Sequence, residues 1–167
     1  FEHALQYDDH VVLFNSDAFV PNDWASRLIA PILSDKSIAS VTPMSNDATI
    51  FSVPSIAEVR QVPDGGVDKI DAAASRINQN FFVLAPTGVG FCMAINIDAL
   101  RKASSLDTIF GKGYGEEVDW CQRVLSLGFK HVGIPNLFVE HRGGPSFGTE
   151  AKARALIASA KIIRERW

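Results

Sequence analysis

Apolar and polar positions alternate along this chain with two periods, and the changes of period mark the elements. Val11 to Phe14 is a short apolar run bounded by polar residues, which predicts a buried β-strand. It ends on Asn15-Ser16-Asp17, and "PNDWASRLIAPIL" follows with Trp24, Leu28, Ile29 and Leu33 at helical spacing. Asn22 or Asp23 is placed to cap that helix, and Pro31 to kink or end it. "SIASVTPM" predicts a strand ending at Pro43, and "RQVPDGGVDK" is the most linker-like stretch. "VDKIDAAASRINQ" predicts a helix with Val67, Ile70, Ala74 and Ile77 on one face. "FFVLAP" and "FCMAINI" are strand candidates around Thr87-Gly88-Val89-Gly90, with Asp98 capping a short helix after them. "EEVDWCQRVLSLG" predicts a helix with Val118, Cys121, Val124 and Leu125 inward and Gly128 just past its end. "KHVGIPNLFVEH" predicts a strand ending at His141. "RGGPSFG" is a loop, and the chain closes on an Ala-rich helix. Strands alternating with helices predict one α/β domain over residues 1–167, a mixed sheet flanked by helices.

Composition narrows the function classes. The chain has 167 residues, 47% hydrophobic and 21% charged, with a net charge of −3. That balance belongs to an ordinary globular domain and gives no electrostatic case for nucleic acid. Residues 80–97 carry no charge and approach a membrane-spanning length, but Pro86, Gly88 and Gly90 interrupt them. Two strands and a Gly-rich loop fit that window better, so no transmembrane segment is expected. Cys92 and Cys121 have no CxxC or zinc spacing, and both are expected buried and unpaired, in a reducing cytosol. Phe1, Ala4 and Leu5 have the spacing of a helix already under way, the expectation for a piece of a longer protein.

Three clusters have the residue types for chemistry, and all three lie at element junctions. Asn15-Ser16-Asp17 ends a strand, where open α/β sheets bind ligands and where a carboxylate can hold a divalent cation against a phosphate. An Asx turn uses the same residues. Glu116, Glu117 and Asp119 follow a run containing Gly111, Gly113 and Gly115. Acids suit a first helical turn, and crowded carboxylates also raise one another's pKa, as a general base requires. His141-Arg142-Gly143-Gly144 offers a metal ligand and a phosphate partner, although a lone His at a strand end also serves structure. Together they describe a transferase that uses an activated phosphate ester.

The residues that carry these clusters resemble the family 2 glycosyltransferases of the GT-A fold, especially the bacterial rhamnosyltransferase-like ones. "LFNSDAFVPNDW" resembles the segment that ends in the family's DxD-type metal motif. "PTGVGFCMAINIDAL" resembles its acceptor-side loop. "DTIFGKGYGEEVDWCQRVLSLGFKHVGIPNLFVEHRGG" resembles its Gly-Glu-Asp-x-Asp-Trp block with the later His-Arg-Gly-Gly. The resemblance covers most of residues 1–148. It implies inverting, metal-dependent transfer of a sugar from a nucleotide diphosphate to a hydroxyl of a saccharide or lipid-linked acceptor. Asp17 and His141 are the implied ligands of Mn²⁺ or Mg²⁺. Glu117 is the implied base, with Glu116 its rival. Asn15, Ser16, Gly88, Val89, Gly90, Asp119, Trp120 and Arg142 are the implied donor and acceptor contacts.

Asn15 stands where many relatives have the first Asp, and Glu117 where they have Asp. The family's preceding βαβ half, which grips base and ribose, has no counterpart in these residues. The chain alone is therefore expected to transfer no sugar, to bind nucleotide sugars poorly, and to self-associate through an uncovered sheet edge. The implied setting is bacterial cell-surface polysaccharide synthesis in the cytoplasm, at the inner face of the membrane. Two other readings stay open: a nucleotidyltransferase on a similar scaffold, and a non-catalytic half-domain that binds a glycan or a partner. Product analysis separates the first from a glycosyltransferase.

Overall fold

The computed structural model describes residues 4–79, 81–111, 113–143 and 149–167, the last stretch with side chains from residue 153. The main sheet has five strands in the order β1-β5-β3-β6-β4. They are β1 (Val11–Phe14), β3 (Ile38–Met44), β4 (Val83–Ala85), β5 (Cys92–Ile95) and β6 (Lys130–Phe138). β3 and β6 run parallel, whereas β5 is antiparallel to both β1 and β3, and β4 antiparallel to β6. A separate ribbon pairs β2 (Ala18–Phe19) with β7 (Glu140–His141). Five α-helices pack around the sheet: α1 (Trp24–Ser34), α2 (Gly66–Ile77), α3 (Ile97–Ala103), α4 (Glu116–Ser126) and α5 (Thr149–Arg166). The predicted α/β class with a mixed sheet is what the chain adopts.

β5 shows how the sequence makes two cores from one sheet. Successive side chains of a strand point to opposite faces. Cys92 and Ala94 join Leu28, Ile32, Val41 and Val132 under α1. Met93 and Ile95 join Leu100, Trp120, Cys121 and Val124 under α3 and α4. A strand buried on both faces reads as a continuous apolar run, as "FCMAINI" does. Among the described residues no helix is long and apolar enough to cross a membrane. Both cysteines are buried and unpaired, and burial pushes their thiols up to about 12 for Cys92 and about 11 for Cys121.

Several local expectations are corrected. β1 is an edge strand, only partly buried, and Phe14 is exposed against the Trp24 ring, 5.4 Å between centroids. An apolar run alone does not say whether a sheet continues beyond it. α1 passes through Pro31 to Ser34, because a proline three residues from the end removes only one backbone bond. Asp23 is the N-cap residue, but in a left-handed conformation (φ 56°) without a side-chain capping bond. The third helix is capped by Asn96, whose side chain accepts from the Asp98 amide at 2.9 Å, rather than by Asp98. α2 is turned part-way from its predicted face: Ala74 is buried as expected, but Ile70 and Ile77 are exposed and Asp71 is buried. Asp71 decides this rotation: it accepts from Arg27 Nη2 at 2.6 Å and from the Phe138 amide at 3.0 Å, tying α2 to α1 and β6. The reading of Phe1 and most of the "RGGPSFG" loop fall outside the described residues.

Candidate functional site

β1 delivers Asn15, Ser16 and Asp17 at its C-terminal end. The chain turns there because the Ala18 amide donates to Asn15 O at 3.1 Å, and β2 then pairs Ala18 with His141. That register brings the first and third clusters together across more than a hundred residues. His141 Nε2 lies 3.5 Å from Asp17 Oδ1 and 3.2 Å from Asn15 Nδ2. The ring's orientation is set from its other side. Nδ1 lies 2.6 Å from the Asp47 carbonyl oxygen, which can only accept, so Nδ1 carries the proton and Nε2 is the bare nitrogen of the neutral ring. Asn46, absent from the sequence expectations, fixes the backbone here. Its Oδ1 accepts from the His141 amide at 2.8 Å and its Nδ2 donates to His141 O at 2.9 Å. The signal was present: Ser45-Asn46-Asp47 is a polar triplet ending β3, as Asn15-Ser16-Asp17 ends β1.

The second cluster approaches through the loop that precedes β5. A Cβ placed on Gly90 would lie 4.0 Å from Glu117 Cγ, so the Gly90 backbone passes beside the carboxylate side chain with room for one carbon between them. One residue on, Phe91 O accepts from the Asn15 amide at 2.8 Å, and the Phe91 ring stacks on His141 at 5.3 Å. Gly88–Phe91 therefore spans from Glu117 to the Asn15–Asp17–His141 group. Glu117 sits at the N-terminus of α4 and accepts from the Gly115 amide at 3.3 Å. Its pKa is nevertheless raised, first by burial and then by the neighbouring Glu116 charge. Gly115 has φ 115° and Phe110 carbons 3.2 Å from where a Cβ would sit, so the approach to α4 requires glycine there. Among the described residues, Glu116 Oε2 is buried without a hydrogen-bond partner.

Two expected contact residues, Asp119 and Trp120, have structural duties, and a third, Arg142, makes local contacts while staying open to solvent. Asp119 is fully buried and accepts from Arg123, Arg166 and Trp167. Trp120 is fully buried and donates from Nε1 to Ser104 O at 3.2 Å. Helical geometry explains the first. Asp119, two residues after Glu117, lies about 200° around the axis from it, whereas Trp120 is only about 60° away and is drawn inward by its bond to Ser104 O. Arg142 lies over the Phe19 ring at 3.8 Å and pairs with Glu140 at 3.2 Å, although most of its side chain is exposed.

This arrangement, metal-capable donors at a strand end and an acid pair at a helix start, sits in a fold shared with glycosyltransferases of the GT-A kind. The chain is similar to a crystal structure of GalNAc-T7 with UDP, GalNAc and Mn²⁺, with a TM-score of 0.56 and 16% sequence identity. The match covers 84% of this chain and 29% of that one. No family model and no curated protein matches the chain.

Proposed function

We propose that this chain is the metal- and acceptor-side part of a glycosyltransferase that moves a sugar, with inversion, from a nucleotide diphosphate to a hydroxyl. The observation that carries the reading is the His141–Asp17 pair. With Nδ1 tied to Asp47 O, an electron-rich Nε2 and a carboxylate oxygen face each other at 3.5 Å. That pair repels unless a proton or cation lies between. Two such donors suit a first-row divalent ion that takes each at about 2 Å. Among the described residues no group of three or more His, Cys, Asp or Glu side chains is placed to hold a metal. Asp17 and His141 would hold Mn²⁺ or Mg²⁺, with diphosphate oxygens and water completing the shell; an imidazole ligand favours Mn²⁺ slightly. When bound, the ion supplies positive charge for the departing diphosphate.

The remaining steps belong to the chain's own side chains. Glu117 removes the acceptor hydroxyl's proton at its carboxylate. Its raised pKa makes it a better base than an exposed glutamate, and Glu116 keeps it raised. Asn15 steadies the bare nitrogen of His141, and Phe91 fixes the imidazole plane. The loop Gly88-Val89-Gly90 lets backbone lie against the sugar, and Ser16 and Arg142 flank the diphosphate. The neighbour's UDP and Mn²⁺ support the donor class. Family 2 membership, a bacterial cell-surface polysaccharide as product and a cytoplasmic setting at the inner membrane face belong to the same proposal, as does pairing of copies through an open sheet edge. The test is sugar transfer by the full-length protein from a panel of nucleotide sugars. Turnover that needs Mn²⁺ or Mg²⁺ and stops with chelator supports the reading. Transfer of a nucleotidyl group, or turnover indifferent to chelator, overturns it.

A further inference from the structure

The core between β3, β6 and α4 holds polar groups that its apolar surroundings do not call for. Ser40, Thr42 and Cys121 are fully buried, and His131 nearly so. His131 Nε2–H donates to Cys121 O at 2.9 Å, which leaves Nδ1 to accept from the Ser40 hydroxyl at 2.7 Å. Two more contacts point upward from this group to the loop before β5. The Gly88 amide donates to Cys121 Sγ at 3.2 Å, and the Val89 amide donates to Thr42 Oγ1 at 3.2 Å. Gly88 is wedged in place: a Cβ there would lie 2.1 Å from Met93 Sδ and 3.0 Å from Ser40 Oγ.

Each residue of the loop then has one assignment. Gly88 and Val89 hold downward, to α4 and β3. Gly90 meets Glu117, and Phe91 meets Asn15 and His141. Cys121 follows Glu117 by four residues, so the two share a helix face one turn apart. The loop is thus fastened to α4 by Cys121 at Gly88, and one turn nearer the helix start Gly90 passes beside Glu117. We propose that Thr42 and Cys121 are positioning residues for sugar transfer: they hold the Gly88–Phe91 loop from beneath and so fix Glu117 relative to the Asn15–Asp17–His141 group. This rests on the reading of Glu117 as the base. A valine would fill the space of Thr42 but not accept from Val89, so the hydroxyl answers to the loop and not to packing. Buried polar networks of this kind specify one arrangement, because any other leaves an amide unsatisfied.

The experiment compares T42V, T42S, C121A and C121S in the full-length protein. T42V is expected to lower kcat about 10- to 100-fold with donor KM unchanged, the scale of a sub-ångström to 1 Å misplacement. T42S restores turnover, since it keeps the oxygen. C121A falls less, because a thiol is a weak acceptor, and C121S is closer to wild type. A second readout needs no substrate: a carbon-13 NMR titration of the Glu117 carboxyl. In T42V a loosened loop admits water, and the raised pKa moves down toward the ordinary glutamate value; in T42S it stays. A purely structural role predicts a lower melting temperature with kcat per folded molecule and the Glu117 titration both unchanged, and that result overturns the proposal. If E117Q keeps full turnover, the base assignment fails separately, while the T42V titration still decides whether the loop is held from below.

Discussion

Glu117 and Asp119 are two carboxylates on the first turn of one helix, and the chain treats them in opposite ways. Asp119 is completely buried, yet its Oδ2 accepts from Arg123 Nε at 3.0 Å and its Oδ1 from Arg166 Nη1 at 2.9 Å and Trp167 Nε1 at 3.2 Å. Arg166 also reaches Asp107 at 2.9 Å, so the end of α5 binds the helix start and the turn before it into one ionic cluster. Glu117 is only partly buried, and among the described residues it accepts from backbone amides and lies near a second acid, Glu116, with no ion pair to a cation. Depth therefore does not separate the two carboxylates. What separates them among the described residues is burial without a compensating positive charge, which disfavours the charged form and which the proposed role of Glu117 as base would use.

The sharpest way to break this contrast is to exchange the charges for amides one at a time. E117Q in the full-length protein is expected to lower kcat about 10²- to 10⁴-fold, the usual contribution of a positioned base, with folding intact. E116Q tests the rival and is expected to cost far less than E117Q; the reverse order would exchange their roles. D119A is expected to do the opposite of E117Q. It strands Arg123 and Arg166 beside the core and should cost about 3 kcal/mol, at the low end for a broken buried pair because both guanidiniums keep some contact with water. Chemical denaturation reads this directly, and a D119A protein as stable as wild type would show that the cluster is dispensable. R166A removes one cation of two and is expected to cost less than D119A, and less again at high salt, since Arg166 is partly exposed. A double-mutant cycle of D119A with R166A should show coupling.

The legibility of this molecule in its sequence follows the same division. Elements with a strong period were readable: β5 as a continuous apolar run, α4 with Cys121 and Val124 inward, and Gly128 after its end with φ 86°. The three junction clusters were readable as positions at element ends, and the β2–β7 pairing joins two of them. What failed was partnership across the fold. Asp71 was missed because α2's apolar spacing pointed to Ile70 and Ile77, and nothing local shows that Arg27 waits for a carboxylate. Asp119 was read with Glu117 because both are acids in one turn, and nothing local shows that the last two residues of the chain come back to it. Thr42 and Asn46 were missed, and Cys121 was read only as a buried apolar residue, because a buried polar contact has no sequence period; its reason is a backbone amide or carbonyl far along the chain.

The smallest effect expected is also the most specific to the contrast, and it concerns stability against pH. Burial and Glu116 raise the folded-state pKa of Glu117 above the ordinary value of 4.5. The folded state therefore binds that proton more tightly than the unfolded chain does. Its contribution to stability is fully present below the unfolded pKa and is lost as pH rises through the raised folded one. Above that window the ionised Glu117 is a burden that E117Q does not carry. E117Q should consequently be more stable than wild type at pH 7. At pH 4, where wild-type Glu117 is protonated in the folded state, the gap should close. Denaturant midpoints of the two proteins at pH 4, 5, 6 and 7 give the comparison, with the difference growing toward neutral pH. A constant difference across that range, or an E117Q protein less stable at pH 7, would mean that Glu117 is as well compensated as Asp119, and the distinction between the two acids would fall.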